Sequence, residues 1–193
     1  MGFVSILSQK SDKIVIFPRN KPFGTLFVID KSEYNYLKER RITMNFNNFT
    51  IKAQEAVQEA VNLTQAHNGQ VIEPIHLLQA VMKVGENVTK FIFQKLGVNG
   101  QQIANVVARQ IESLPKVSGG NPYLSRESND VLQKAVQYSK EMGDEFVSIE
   151  PIILALLVVK STASSILKDA GVSEIELREA INELRKGERV TSQ

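Results

Sequence analysis

The strongest constraint on this chain is a stretch that occurs twice. Val71-Ile-Glu-Pro-Ile-His-Leu-Leu-Gln-Ala80 comes back as Val147-Ser-Ile-Glu-Pro-Ile-Ile-Leu-Ala-Leu156, so that Glu73-Pro74 reappears as Glu150-Pro151, 77 residues on. Internal repetition is settled first, because a fold built from copies is miscast when read as one unbroken pattern. Ahead of each Glu-Pro lies a long amphipathic segment, Ile51–His67 and Ser125–Met142. Behind each, Lys95-Leu-Gly-Val98 and Asp169-Ala-Gly-Val172 lead into a further amphipathic segment. One supersecondary unit, duplicated around a shared core, is the architecture this pattern dictates.

Local signals supply the elements. Thr50 is a side-chain cap for a first helix whose Ala53, Val57, Ala60, Val61 and Thr64 share one face. Asn68-Gly69 stops it in the left-handed region, and Glu73-Pro74 starts the second helix, where proline loses nothing by lacking an N–H. A third helix is expected over Val88–Leu96 and a fourth over Gln101–Ser113, before Pro115. Lys116–Pro122 is a small, polar, glycine-paired linker. The second copy repeats the plan: Ser125 to Met142, a buried helix opened by Ser148 or Glu150, a short helix ending at Ala170-Gly171, and a last one opened by a Ser173-Glu176 capping box and ended by Gly187. The domain boundaries follow: a leader over 1–43, repeat one over 44–115, the linker over 116–122, repeat two over 123–187, and the start of a further linker over 188–193. In the leader, Lys13–Phe17 and Thr25–Ile29 are β-branched runs that pair as a hairpin, with a short helix after Lys31. The leader is an appendage, or an extension upstream of Met44.

Composition excludes more than it identifies. The absence of cysteine removes disulfides and thiolate metal sites, and the longest apolar run, Ile152–Val159, is far too short to span a bilayer. No continuous apolar signal segment opens the chain, so a cytoplasmic protein is expected. The net charge of +2 divides into +4 on residues 1–43 and −2 on 44–193. The duplicated part therefore lacks the basic face that binding to nucleic acid requires. Neither phosphate-loop nor dinucleotide glycine pattern is present, so no cofactor is expected in this chain. His67 and His76 have no second ligand at metal spacing; His67 belongs to a helix end and His76 to the surface beside Glu73. What remains is a surface. The helix entrances at Thr50 and Ser148–Glu150 build a groove between the copies suited to an apolar peptide, or else are ordinary caps and core residues; periodicity alone leaves both open.

Four segments carry a resemblance: Met44-Asn-Phe-Asn-Asn-Phe-Thr-Ile-Lys-Ala53, Val71-Ile-Glu-Pro-Ile-His-Leu-Leu78, Lys95-Leu-Gly-Val98 and Gly143-Asp-Glu-Phe-Val-Ser-Ile-Glu150. Over residues 44–187 the chain resembles the tandem Clp-N repeat that forms the N-terminal domain of ClpB-type disaggregases, chaperones of the Clp ATPase family. The resemblance implies an all-α domain of eight helices in two pseudo-symmetric four-helix repeats. It implies a mobile, monomeric module that engages unfolded or aggregated protein and helps pass it to a hexameric ATPase ring. ATP and magnesium would belong to the ATPase modules of such a protein and not to this chain, which would not be an enzyme. Carried over by motif, the substrate-binding positions would be Thr50, Asp144 and Glu150, with Leu132 as an apolar wall. Pro151 departs from relatives that often place an apolar residue or histidine there, which puts the shape of the groove edge in question. The alternative is the N-terminal domain of a ClpA- or ClpC-type, protease-associated relative, which docks a dedicated adaptor protein.

Overall fold

The computed structural model describes residues 4–7, 13–17, 27–30, 46–117 and 122–192. These fall into two units, Met1–Asn45 and Phe46–Gln193. In the first, β1 (Val4–Leu7), β2 (Lys13–Phe17) and β3 (Phe27–Asp30) form an antiparallel sheet in that order. Lys13 lies opposite Asp30 and Ile16 opposite Phe27, which is the hairpin the β-branched runs predict, although Thr25 and Leu26 lie outside the described residues. The other edge of β2 takes β1, with Val4 opposite Phe17. Val-Ser-Ile-Leu is too short to show an alternation of its own, so the sequence does not announce it. The helix expected after Lys31 falls outside the described residues, as do residues 118–121 of the expected linker.

The second unit contains eight α-helices among its described residues: α1 (Ile51–Ala66), α2 (Pro74–Val84), α3 (Glu86–Lys95), α4 (Gly100–Glu112), α5 (Arg126–Glu141), α6 (Ile149–Val158), α7 (Thr162–Asp169) and α8 (Glu174–Arg185). Their starts follow from capping. The Thr50, Asn99, Ser125 and Ser161 side chains each accept an N–H three residues on, satisfying a donor that has no partner inside the helix. At the start of α8 the Ser173 hydroxyl also donates directly to Glu176 at 2.6 Å. The stop after α1 is taken by Asn68 itself, at φ 55°, and its neighbour Gly69 donates back to the Thr64 carbonyl at 2.8 Å. α6 is buried from Ile149 through Leu157 and packs against α2, α5, α7 and α8, which makes it the axis of the core.

The copies are joined by exchange of their helix entrances. Phe49, just before α1, bridges Val147, just before α6: Thr50 N–H donates to the Val147 carbonyl at 2.9 Å, and Val147 N–H to the Asn48 carbonyl at 2.8 Å. In mirror fashion, β4 (Val71–Ile72), before α2, pairs parallel with β5 (Tyr123–Leu124), before α5. Ser125 N–H then donates to the Ile72 carbonyl at 3.0 Å, and the buried Ser128 hydroxyl donates to the same oxygen at 2.6 Å. Thr50 thus corresponds to Ser125 and Ile72 to Val147, an offset of 75 residues. The Glu-Pro pair is two residues out of step with that offset. Glu73 is the N-cap of α2, whereas Glu150 lies in the first turn of α6, whose N-cap is Ser148. Pro151 fits there because the N–H groups of a first turn have no intrahelical acceptor.

The turn between α2 and α3 meets the entrance of α6 at Gly85. A β-carbon there would stand 2.8 Å from Ile149 Cγ2 and 2.9 Å from the Val81 carbonyl oxygen. The backbone oxygen cannot move aside. Gly85→Ala is expected to lower unfolding free energy by about 1–3 kcal/mol, the range for overpacking a tight contact, as read from urea denaturation of the purified chain.

Candidate functional site

A cleft of about 680 Å³ opens where the two repeats meet. Thr50, Ile51 and Lys52 line it from the start of α1, Lys83 to Val88 from the α2–α3 turn, and Ser148 to Glu150 from the start of α6. The first turns of three helices therefore face one space. The N-terminal turn of a helix leaves N–H groups without intrahelical acceptors and carries the positive end of the backbone dipoles. Gly85 has no side chain with which to cap α3, and the Ser148 hydroxyl makes no capping bond in α6. Ile51 adds an apolar edge at 56% exposure. Open N–H donors beside an exposed aliphatic side chain suit the carbonyls and apolar side chains of an extended peptide. Lys52 and Lys83 are exposed and paired with Glu55 and Glu59 at 2.9 and 2.7 Å. They give the rim ordinary surface ion pairs.

The pseudo-symmetry generates a second cleft of about 650 Å³, lined by Glu73, Pro74, Ile75, Glu127, Lys160 and Ser161 among others. Each of these six stands 75 residues from a residue of the first cleft. Duplication has not preserved the chemistry, however: Lys52 becomes Glu127 and Glu150 becomes Ile75. Burial lifts the Glu73 carboxyl above its ordinary range, a hydrogen bond with Ser125 opposes this, and the charge on Glu127 adds to it.

Thr50 and Glu150 are brought together in the first cleft, but the other two predicted positions are not. Leu132 has 0% exposure in α5 and belongs to the core, so it offers no wall to a ligand; the i, i+4 spacing that marks it as apolar also marks it as buried. Asp144 is buried and lies behind the cleft wall. Its carboxylate Oδ2 accepts from Arg185 Nη1 at 2.7 Å. The same guanidinium donates from Nε to Glu150 at 3.2 Å and from Nη2 to the Ser148 hydroxyl at 2.9 Å. Both acids are therefore held in an ion-pair cluster, with side chains only 0% and 11% exposed. Arg185 is invisible to a reading of spacing, since its partners lie 35 to 41 residues away. A basic residue in the last turn of a helix reads as dipole complementarity and nothing more.

His76 is buried at 2% exposure, not at the surface as the sequence suggests. It sits in the third position of α2, where its Nδ1 accepts the Glu73 N–H at 3.0 Å while Glu73 accepts in return, a capping box with histidine in the usual glutamate position. His67 ends α1, with Nδ1 2.9 Å from the Leu63 carbonyl. Among the described residues no cluster of histidine, cysteine or carboxylate side chains could hold a metal ion, and no single helix is long and apolar enough to cross a membrane.

A profile of the Clp repeat (R) N-terminal domain matches residues 48–170. The chain belongs to the Clp repeat N-terminal domain family. The chaperone protein ClpB of Bacteroides thetaiotaomicron is 79% identical over 150 residues, which is 78% of this chain and 17% of that protein. This chain therefore spans about a sixth of the length of the curated relatives it matches. The Hsp104 N-terminal domain from Candida albicans superimposes with a TM-score of 0.68 at 23% identity, over 76% of this chain and 97% of that one. A ClpV N-domain solved in complex with a VipB peptide superimposes at 0.61 with 16% identity, over 76% and 92%. The Clp-N fold accounts for both repeats, whereas cleft and cluster come from the side chains of this sequence.

Two outcomes follow from these groups. Arg185→Met leaves the Asp144 carboxylate buried without its cation and is expected to cost about 3–5 kcal/mol, measured by chemical denaturation. His76 has its pKa lowered from 6.5 to about 4, chiefly by burial and secondarily by His67, so the folded form holds the neutral ring. The stability this contributes is present in full above about pH 6.5 and lost as pH falls toward about 4, because the unfolded chain takes up the proton first. Thermal midpoints measured across that window should fall for the parent chain and fall less steeply for His76→Gln.

Proposed function

We propose that this domain is a substrate-binding N-terminal module of a ClpB-type disaggregase. Unfolded or aggregated protein docks on it as an extended segment before transfer to a hexameric ATPase ring. The cleft between the repeats carries this reading: the two uncapped helix entrances, at Gly85 and Ser148, leave N–H donors open beside the exposed Ile51, an arrangement that accepts peptide carbonyls and an aliphatic side chain together. Support comes from the 79% identity to a ClpB chaperone and, at the level of the fold, from the ClpV N-domain whose structure includes a peptide. Within the cleft, Ile51 makes apolar contact and Thr50, through its cap, holds the α1 donors in place. Glu150 and Asp144 act by shaping the wall through Arg185 and not by touching the client. One such shallow cleft binds on the order of micromolar to millimolar, and six copies on a ring raise this by multivalency. Nucleotide and magnesium chemistry would reside in the ATPase modules of such a protein.

Titration of the isotope-labelled chain with a permanently unfolded apolar model protein, followed by amide NMR shifts, tests the reading. Shifts are expected at Ile51, Asn87 and Ile149. Ile51→Ser, which alters an exposed side chain, should weaken binding about tenfold, the value of partial burial of one isoleucine. Shifts confined to other faces would overturn the cleft as the client site. Binding of a folded adaptor with none of the unfolded protein would favour the adaptor-docking alternative.

A further inference from the structure

Asp144 does more than hold Arg185. Its second oxygen, Oδ1, accepts the Val190 N–H at 3.0 Å, and Glu145 N–H donates to the Val190 carbonyl at 2.9 Å. After α8 the chain turns through Lys186 and Gly187, both at positive φ, and runs back along the Gly143–Glu145 loop, with the Arg189 side chain lying over Gly143. The segment that leaves the domain is thus strapped to the cluster that frames the cleft. One guanidinium serves both: Nε and Nη2 face Glu150 and Ser148 on the cleft wall, and Nη1 faces Asp144, the anchor of the strap.

We propose that Arg185 is a positioning residue that couples the cleft to the segment following α8, so that occupation of the cleft loosens the strap. A guanidinium is planar and rigid, and its donors cannot be re-aimed one at a time. A ligand that binds the first-turn backbone of α6 shifts Ser148 and Glu150 with it and so tilts the fork. Nη1 then leaves Asp144, whose side chain has no exposure with which to recruit water in place. The carboxylate turns to recover a donor and releases the Val190 N–H. The empty cleft therefore holds residues 188–190 docked, and the occupied cleft frees them. Such linkage is reciprocal: a docked strap disfavours occupation by the same factor by which occupation disfavours the strap. The ligand-driven half rests on the cleft being the client site, whereas the coupling through Arg185 does not.

Hydrogen exchange of individual backbone amides in the full chain, without ligand, tests the coupling. Glu150→Gln and Ser148→Ala touch Arg185 only from the cleft side and lie away from Val190. Both are expected to speed exchange at Val190 and Glu145 several-fold while leaving core amides such as Leu156 at the parent rate. Lys83→Ala, which lines the cleft without touching Arg185, should change neither. Parent rates at Val190 and Glu145 in both Ser148→Ala and Glu150→Gln would overturn the proposal. Adding the unfolded model protein separates it from the docking reading. Shifts at Ile51 with Val190 exchange unchanged would overturn the coupling to occupancy and leave docking intact. No shifts at Ile51 would overturn docking, with the variants still deciding the clasp.

Discussion

Everything in the helical unit depends on two pairs of backbone hydrogen bonds between the copies. Each repeat brings an apolar helix that it cannot cover alone, α2 in one and α6 in the other, and each has a short extended entrance ahead of that helix. The backbone N–H and C=O groups of an entrance need partners once they are buried. Here they find them in the other copy, Val147 with Asn48 and Thr50, Ile72 with Ser125. The bonds fix the register of the repeats, and the register decides which helix starts face one another. The clefts are consequences of that joint, since both open where an entrance of one copy passes the helix turn of the other.

The same joint explains the distribution of polar groups. Among the described residues ten polar or charged side chains are buried, and most of them serve entrances and caps: Ser125, Ser128, Ser148, Ser164, His76, Asp144 and Glu150. Isolated, each would cost the free energy of an unpaired buried donor or acceptor. Paired, they specify where a helix begins. Arg185 extends this from hydrogen bonding to charge, because one cation satisfies two carboxylates and a hydroxyl that lie on separate elements. The acids that look like contacts for a ligand are thus committed within the domain, and what remains open to a ligand is backbone and Ile51.

Much of this was legible in the sequence, and what was not has a physical reason. Helix number and most boundaries follow from apolar spacing and from caps such as Thr50, Ser125 and Ser173, which are local signals. The duplication is also legible, but its register is not. Glu73-Pro74 and Glu150-Pro151 are alike in letters, yet they occupy different helix positions, and only the bridges at Ile72 and Val147 reveal the offset. Leu132 shows the limit of periodicity, which separates apolar from polar faces but cannot tell a core position from a groove. His76 shows the limit of polarity: a ring nitrogen that closes a capping box is buried because it is satisfied. Arg185 and its acids are brought together by tertiary packing alone, and no spacing rule reaches so far, whereas β1 is missed because its four residues are too few to show alternation.

The exchanged entrances also bear on how the domain comes into being. Phe49 cannot meet Val147 until nearly a hundred further residues have been made. On a ribosome, the first repeat emerges with α1 and α2 able to form but with Thr50, Ile72 and their neighbours still lacking their partners. The first copy is therefore held open, an incomplete surface in search of its second half, until the second copy follows it out. Contacts between distant residues come at the cost of slower closure. A domain whose proposed work is to receive unfolded chains thus spends part of its own synthesis as an incompletely folded one.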